Sequence, residues 1–91
     1  MEVTILGSGA SLLSPDRALA GVMVETSGEP LIFDIGAGVL HRLTVSLPDM
    51  TRIEHIFITH FHVDHCSDYA ALTHTLWLMD YSKTLHVYGP K

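Results

Sequence analysis

Six consecutive residues, His60-Phe61-His62-Val63-Asp64-His65, hold three imidazoles and one carboxylate. Neutral imidazole nitrogen and carboxylate oxygen are donors that suit Zn²⁺, Mn²⁺ and Fe²⁺. A single histidine in a polar loop needs no explanation, but four ligand-type residues in six do. The set is denser than one ion requires, which points to two divalent metal ions, zinc by preference with manganese or iron as alternatives. His60, His62, Asp64 and His65 are therefore the candidate metal ligands.

Other chemistry-bearing residues are less well placed. His55 opens the apolar run before the cluster and lies roughly 16 Å away at the rise of a strand. His74 stands about 9 Å along a helix from its start, and His41 and His86 ride other elements. All four read as surface or packing histidines. Cys66 reads as a buried thiol, not a ligand or nucleophile. Gly7-Ser8-Gly9 lacks the third glycine of a dinucleotide fingerprint, since Leu12 stands there and no helix pattern follows. Its glycines are expected to allow a tight turn beside the site. Arg17 is the loop residue able to meet a substrate phosphate, although a solvated arginine is the default for such a loop.

The elements that must position the cluster can be traced in order. Residues 2–7 form a first strand. Residues 20–26 and 31–34 flank the turn signal Ser27-Gly28-Glu29-Pro30 and predict a hairpin. Val39, Leu40, Leu43 and Leu47 recur at helical spacing with Pro48 just beyond, which predicts a helix over 39–47. A strand over 54–59 then delivers the cluster at the exposed edge of a sheet. Ser67 or Asp68 can cap a second helix running to about 82, with Tyr69, Leu72, Leu76 and Met79 on one core-facing stripe. A strand over 85–88 closes the chain. There is no repeat, low-complexity run or linker.

Composition bounds the rest. Ninety-one residues make at most one small domain, or part of one. The apolar share is 47% and the mean hydropathy +0.30, an excess that implies an apolar face meant for something outside this chain. A formal charge of −5 with scattered basic residues excludes a general nucleic-acid-binding stripe. Two bound divalent cations would cancel most of that charge, so an anionic substrate stays compatible with it. The lone Cys66 cannot form an intramolecular disulfide and fits a reducing, cytoplasmic setting. The N-terminus lacks the basic start of a signal peptide, and no segment approaches a membrane span.

With Thr59-His60-Phe61-His62-Val63-Asp64-His65 and Phe33-Asp34-Ile35-Gly36-Ala37-Gly38 in place, the chain resembles the N-terminal part of the metallo-β-lactamase superfamily. Leu6-Gly7-Ser8-Gly9-Ala10-Ser11, Pro15, Arg17 and Val87-Tyr88-Gly89-Pro90 are similar to the ribonuclease Z and phosphodiesterase branch. The resemblance implies an α/β fold, an αββα sandwich of which residues 1–91 supply the N-terminal sheet and two helices. It implies that His60 and His62 bind one metal and that Asp64 and His65 bind a second. The pair would activate a bridging hydroxide for phosphodiester hydrolysis. Asp34 would orient the ligands from behind, with capping of the 39–47 helix as its simpler role. Asp64 is the residue that would also handle a proton, but ligation alone is favoured because a metal-bound carboxylate is a poor base. Asp68 stands where relatives commonly carry glycine.

The resemblance further implies that the remaining ligands come from a C-terminal half outside these 91 residues. This portion is then expected to pair with that half or to self-associate. The expected substrate is a tRNA or a small phosphodiester. The same residues also fit two other readings: a hydrolase of the same fold acting on an ester, thioester, lactone or sulfate, and a non-catalytic metal-binding fragment.

Overall fold

The computed structural model describes residues 1–10 and 12–91. Ser11, the last residue of the opening motif, lies outside the described residues. Strands β1 (Glu2–Gly7), β2 (Gly21–Thr26) and β3 (Glu29–Phe33) run antiparallel to their neighbours, and β4 (His55–Phe57) and β5 (His86–Tyr88) continue the sheet in parallel, in the order β1-β2-β3-β4-β5. Helix α1 (Val39–Ser46) and a 3-10 turn at Met50–Arg52 join β3 to β4. Helices α2 (Val63–Cys66) and α3 (Tyr69–Leu78) join β4 to β5.

The β2–β3 connection is tighter than the four-residue turn expected. Ser27 and Gly28 alone form it, with φ of 53° and 78°, the paired left-handed conformation of a two-residue hairpin turn. Pro30 instead lies in β3 opposite Glu25 and is fully buried. It precedes Leu31, the first β3 residue paired to β4, so its missing N–H leaves no gap in the sheet.

One face of the sheet carries the core. Leu6, Met23, Ile32 and Ile56 point from the strands, and Val39, Leu43 and Leu47 of the α1 region and Leu72 and Leu76 of α3 cover them. The second helix departs from expectation. It is two helices, α2 ending at Cys66 and α3 stopping at Leu78, four residues short of 82. Tyr69 and Met79, expected in the core stripe, are 36% and 38% exposed: they stand at the two ends of α3, Tyr69 as its first residue and Met79 as its C-cap, while Leu72 and Leu76 between them are buried.

Tyr81 fastens the chain after α3: its hydroxyl donates to the Ile53 carbonyl at 2.6 Å. Burial first, and then the charge of Glu54, raise its pKa above the usual tyrosine value. A raised folded-state pKa adds stability that is complete below the unfolded value and is lost as pH rises through the folded one. Tyr81→Phe is therefore expected to cost about 1 kcal/mol at neutral pH and to blunt the loss of stability above pH ~10. Urea titrations at both pH values check this.

The opposite face is open. The register aligns Ile5, Val22, Phe33, Phe57 and Tyr88 in one row and Val3, Val24, Leu31, His55 and His86 in the next. Phe33 stacks on Phe57 at 4.8 Å and Phe57 on Tyr88 at 4.7 Å. No helix among the described residues covers these rows, and Val3 and Ile5 are 58% and 62% exposed.

Candidate metal centre

The parallel strands β3, β4 and β5 all end on the same edge of the sheet, the edge where open α/β sheets gather ligand-binding groups. Asp34 follows β3 directly. Its backbone N–H donates to the Phe57 carbonyl at 2.8 Å, and Ile58 donates to Tyr88 at 2.7 Å, so the ladder runs on past the named strand ends. Strand β4 is shorter than expected, three residues against six. Its last stretch is held by Asp34 instead.

Asp34 is 7% exposed and adopts φ 64°, a left-handed conformation that aspartate tolerates better than most residues. Its Oδ1 accepts the Thr59 backbone N–H at 2.7 Å and its Oδ2 accepts the Thr59 hydroxyl at 2.8 Å. His65 Nδ1 lies 2.8 Å from the same Oδ2. Burial works to raise the Asp34 pKa, but the Thr59 backbone N–H, the His65 ring and the Thr59 hydroxyl together hold it below the ordinary carboxylate value. Asp34 is thus an ionised acceptor with three donors aimed at it. The helix-capping role considered for it belongs elsewhere: Asp68 Oδ2 accepts from Gly38 N at 2.9 Å and Leu40 N at 3.1 Å, at the start of α1.

These bonds assign the imidazole tautomers. With His65 Nδ1–H donating to Asp34, Nε2 is left as the lone-pair donor and lies 3.4 Å from Asp64 Oδ2. The Thr59 hydroxyl gives its proton to Asp34 and accepts from His60 Nδ1 at 3.1 Å, so His60 is likewise left with Nε2. The His60 and His65 rings stand 3.8 Å apart between centroids, and His60 and His62 meet edge-on at 4.7 Å.

Asp64 and His65 reach the site from α2, a single helical turn, and not from a strand end as the sequence pattern had suggested. His62 is the residue before that turn, in extended conformation at φ −63° and ψ 145°. His60, His62 and Asp64 bring one donor atom each to within 4.8 Å of one another. Donors around a tetrahedral zinc stand about 3.3 Å apart, so a small contraction would close this group on an ion. Two imidazoles and a carboxylate are the right chemistry for it, and the residues fit a divalent metal.

Arg17 lies in the loop between β1 and β2. It is exposed, bridges back to Ser14, and lines a groove of about 360 Å³ with His41 and Arg42. None of the four histidine and aspartate residues of the cluster lines that groove. Cys66 is half-buried, with Sγ 3.4 Å from the His62 carbonyl. His55 pairs with Glu29 at 2.9 Å and stacks on His86 on the open face of the sheet.

Thr59 and Gly36, to which sequence reasoning assigned no role, now have one, and Asp68, expected to cap the helix that follows it, has a different one. Thr59 orients His60 and contacts Asp34. Asp68 caps α1 from another segment. Gly36 lies where a side chain would collide with the backbone of the ligand turn, a Cβ there falling 2.2 Å from the Asp64 carbonyl oxygen. Thr59 carried a sequence signal as the residue next to the first ligand, and Asp68 carried one that pointed to the wrong helix.

A five-stranded mixed sheet with helices on one face, and a His-x-His-x-Asp-His turn at the carboxyl edge of its parallel strands, define the metallo-β-lactamase fold. The chain belongs to the family described as "Anti-Pycsar protein Apyc1", whose pattern matches residues 1–88, and it falls in the ribonuclease Z-like branch of the metallo-β-lactamase superfamily. Ribonuclease Z of Pyrococcus furiosus is 38% identical over all 91 residues, and that of Methanosarcina acetivorans 33% identical over 90; each alignment takes up 30% of the relative. Human tRNase Z, short form, matches 99% of this chain and 35% of its own with a TM-score of 0.89 and 41% identity. The metallo-β-lactamase fold protein YhfI of Bacillus subtilis matches 96% of this chain and 35% of its own with a TM-score of 0.87 and 25% identity. The chain therefore spans about a third of the length of each of these four proteins.

Proposed function

We propose that this chain carries the metal-binding turn of a ribonuclease Z-like hydrolase that cleaves phosphodiesters, in a tRNA or in a small molecule. The observation that carries the reading is the convergence of the His60, His62 and Asp64 donors, with His65 Nε2 beside Asp64. Identity to ribonuclease Z proteins across the whole chain supports the phosphodiester class.

His60 and His62 would hold one divalent ion, zinc by preference, and Asp64 and His65 a second. Ions held there supply a water of lowered pKa and positive charge to offset what builds on the phosphate oxygens. The chain's own residues do the orienting. Asp34 fixes His65 through Nδ1, Thr59 fixes His60, and α2 sets Asp64 beside His65 Nε2. Asp64 serves as ligand, with proton handling second to that. Arg17 stays a solvated loop residue unless an extended substrate reaches its groove.

The remaining ligands would come from a second sheet laid on the open rows of β1–β5, supplied by further chain or, failing that, by association of copies. No helix among the described residues is long and apolar enough to cross a membrane, and with Cys66 as the lone cysteine we assign the protein to the cytoplasm.

The test uses the complete protein. Stripping it with a chelator is expected to abolish turnover of bis(p-nitrophenyl) phosphate, and zinc to restore it. His65→Ala should remain folded by circular dichroism and stay at background turnover. Hydrolysis of a lactone or thioester with none of the phosphodiester would overturn the substrate class.

A further inference from the structure

Asp68 occupies the position before α3 where an aspartate usually caps its own helix, yet its side chain makes no such bond. It reaches instead to the N-terminus of α1, taking the Gly38 and Leu40 N–H groups on Oδ2. Helix α1 has no cap of its own, because Gly38 fills its N-cap position at φ 91° and its first turn has no acidic residue.

This link closes a ring around the metal ligands. The Asp68 backbone N–H donates to the Ile35 carbonyl at 3.0 Å, and the Ile35 N–H donates to the His65 carbonyl at 2.7 Å. The segment 34–38 is thus stitched to the segment 64–68 by backbone in the middle, by Asp34 on His65 at one end and by Asp68 on α1 at the other. Gly36 lies against the Asp64 carbonyl inside the ring with no room for a methyl group. A shift of α1 relative to α2 must therefore move Asp34 relative to His65.

We propose that Asp68 is a positioning residue of the metal centre: by tying the first turn of α1 to the α2–α3 junction, it fixes the angle at which Asp64 and His65 present their donor atoms. The proposal rests on the metal-binding reading above. It differs from simple stabilisation, in which a lost cap weakens the fold and leaves the folded site as it was.

The experiment compares wild type, Asp68→Gly, Asp68→Asn and Asp68→Glu in the complete protein. It reads Zn²⁺ affinity by chelator competition and the visible absorption of the Co²⁺-substituted form, both well below the melting temperature. Asp68→Gly is expected to bind zinc about 10-fold or more weakly and to shift the cobalt band. Asp68→Asn, whose amide oxygen can still accept both N–H groups, should recover most of the affinity. Asp68→Glu keeps the carboxylate but moves it by one methylene, and it carries the test if the glycine variant does not fold: its cobalt band should move. Wild-type affinity and an unchanged band in every folded variant, with only the melting temperature lowered, would overturn the proposal. A wild-type protein that binds no metal would overturn the functional reading as well, so the two failures are told apart by the wild type alone.

Discussion

Asp34→Ala is expected to lose about 2–4 kcal/mol of stability, since it leaves the Thr59 N–H, the Thr59 hydroxyl and the His65 Nδ1–H without their acceptor. Thr59 is exposed and His65 half-buried, so water offsets part of the cost, about 1–3 kcal/mol, that each orphan would carry in a dry interior. Alanine also tolerates φ 64° less well than aspartate, for about 1 kcal/mol more. A globular protein has about 5–15 kcal/mol of stability in all, so such a loss is a large fraction of the total. Asp34→Asn separates the contributions. Asparagine accepts the left-handed backbone and can still take the Thr59 N–H, but its amide nitrogen faces two donors. It should stay folded while zinc affinity falls about 10–100-fold, as for other residues that orient metal ligands. Urea unfolding and zinc competition on both variants test this, and a wild-type midpoint for Asp34→Ala would remove Asp34 from the centre of the site.

The second large effect is expected at Gly36. Its backbone lies outside the left-handed region, so alanine could adopt the conformation, but the added Cβ would lie 2.2 Å from the Asp64 carbonyl, 2.7 Å from the Leu19 side chain and 3.0 Å from the Ala20 nitrogen. Two of those three atoms are backbone and cannot rotate away. Gly36→Ala should cost about 3 kcal/mol as overpacking and displace the turn that bears Asp64, lowering zinc affinity with it. Gly28→Ala is the control. There φ is 78° but nothing lies within 4 Å, so only the backbone penalty of about 1–2 kcal/mol applies. Equal losses at the two positions would show that the close approach at Gly36 has been misjudged.

The contrast between these glycines shows what could be read from the sequence. Apolar runs bounded by turn signals located β1 and β2, helical spacing located α1, and density alone marked His60 to His65 as the candidate metal ligands. Strand ends were harder. The pattern from Glu54 to Thr59 is strand-like throughout, yet β4 stops at Phe57 because Asp34, 25 residues earlier in the chain, takes over the bonds of Thr59. The same holds for Asp68, which looks like a local cap and serves a helix 28–30 residues away. Pro30 misled in the opposite direction, since its turn propensity was overridden by a place in the sheet where no N–H is needed. Local preference is visible in sequence; a carboxylate's choice between near and distant N–H groups is not.

The two open rows of β1–β5 set up a race. Ile5, Val22, Phe33, Phe57, Val3, Val24 and Leu31 attract any apolar surface that arrives first. A covering layer joined to the same chain presents itself at an effective concentration on the order of millimolar. A second copy arrives at whatever concentration the solution holds, which at a micromolar level is about a thousand times less. A tethered layer of the kind proposed above would win that race at any ordinary expression level, and would lose ground in proportion as copies accumulated before it had been made.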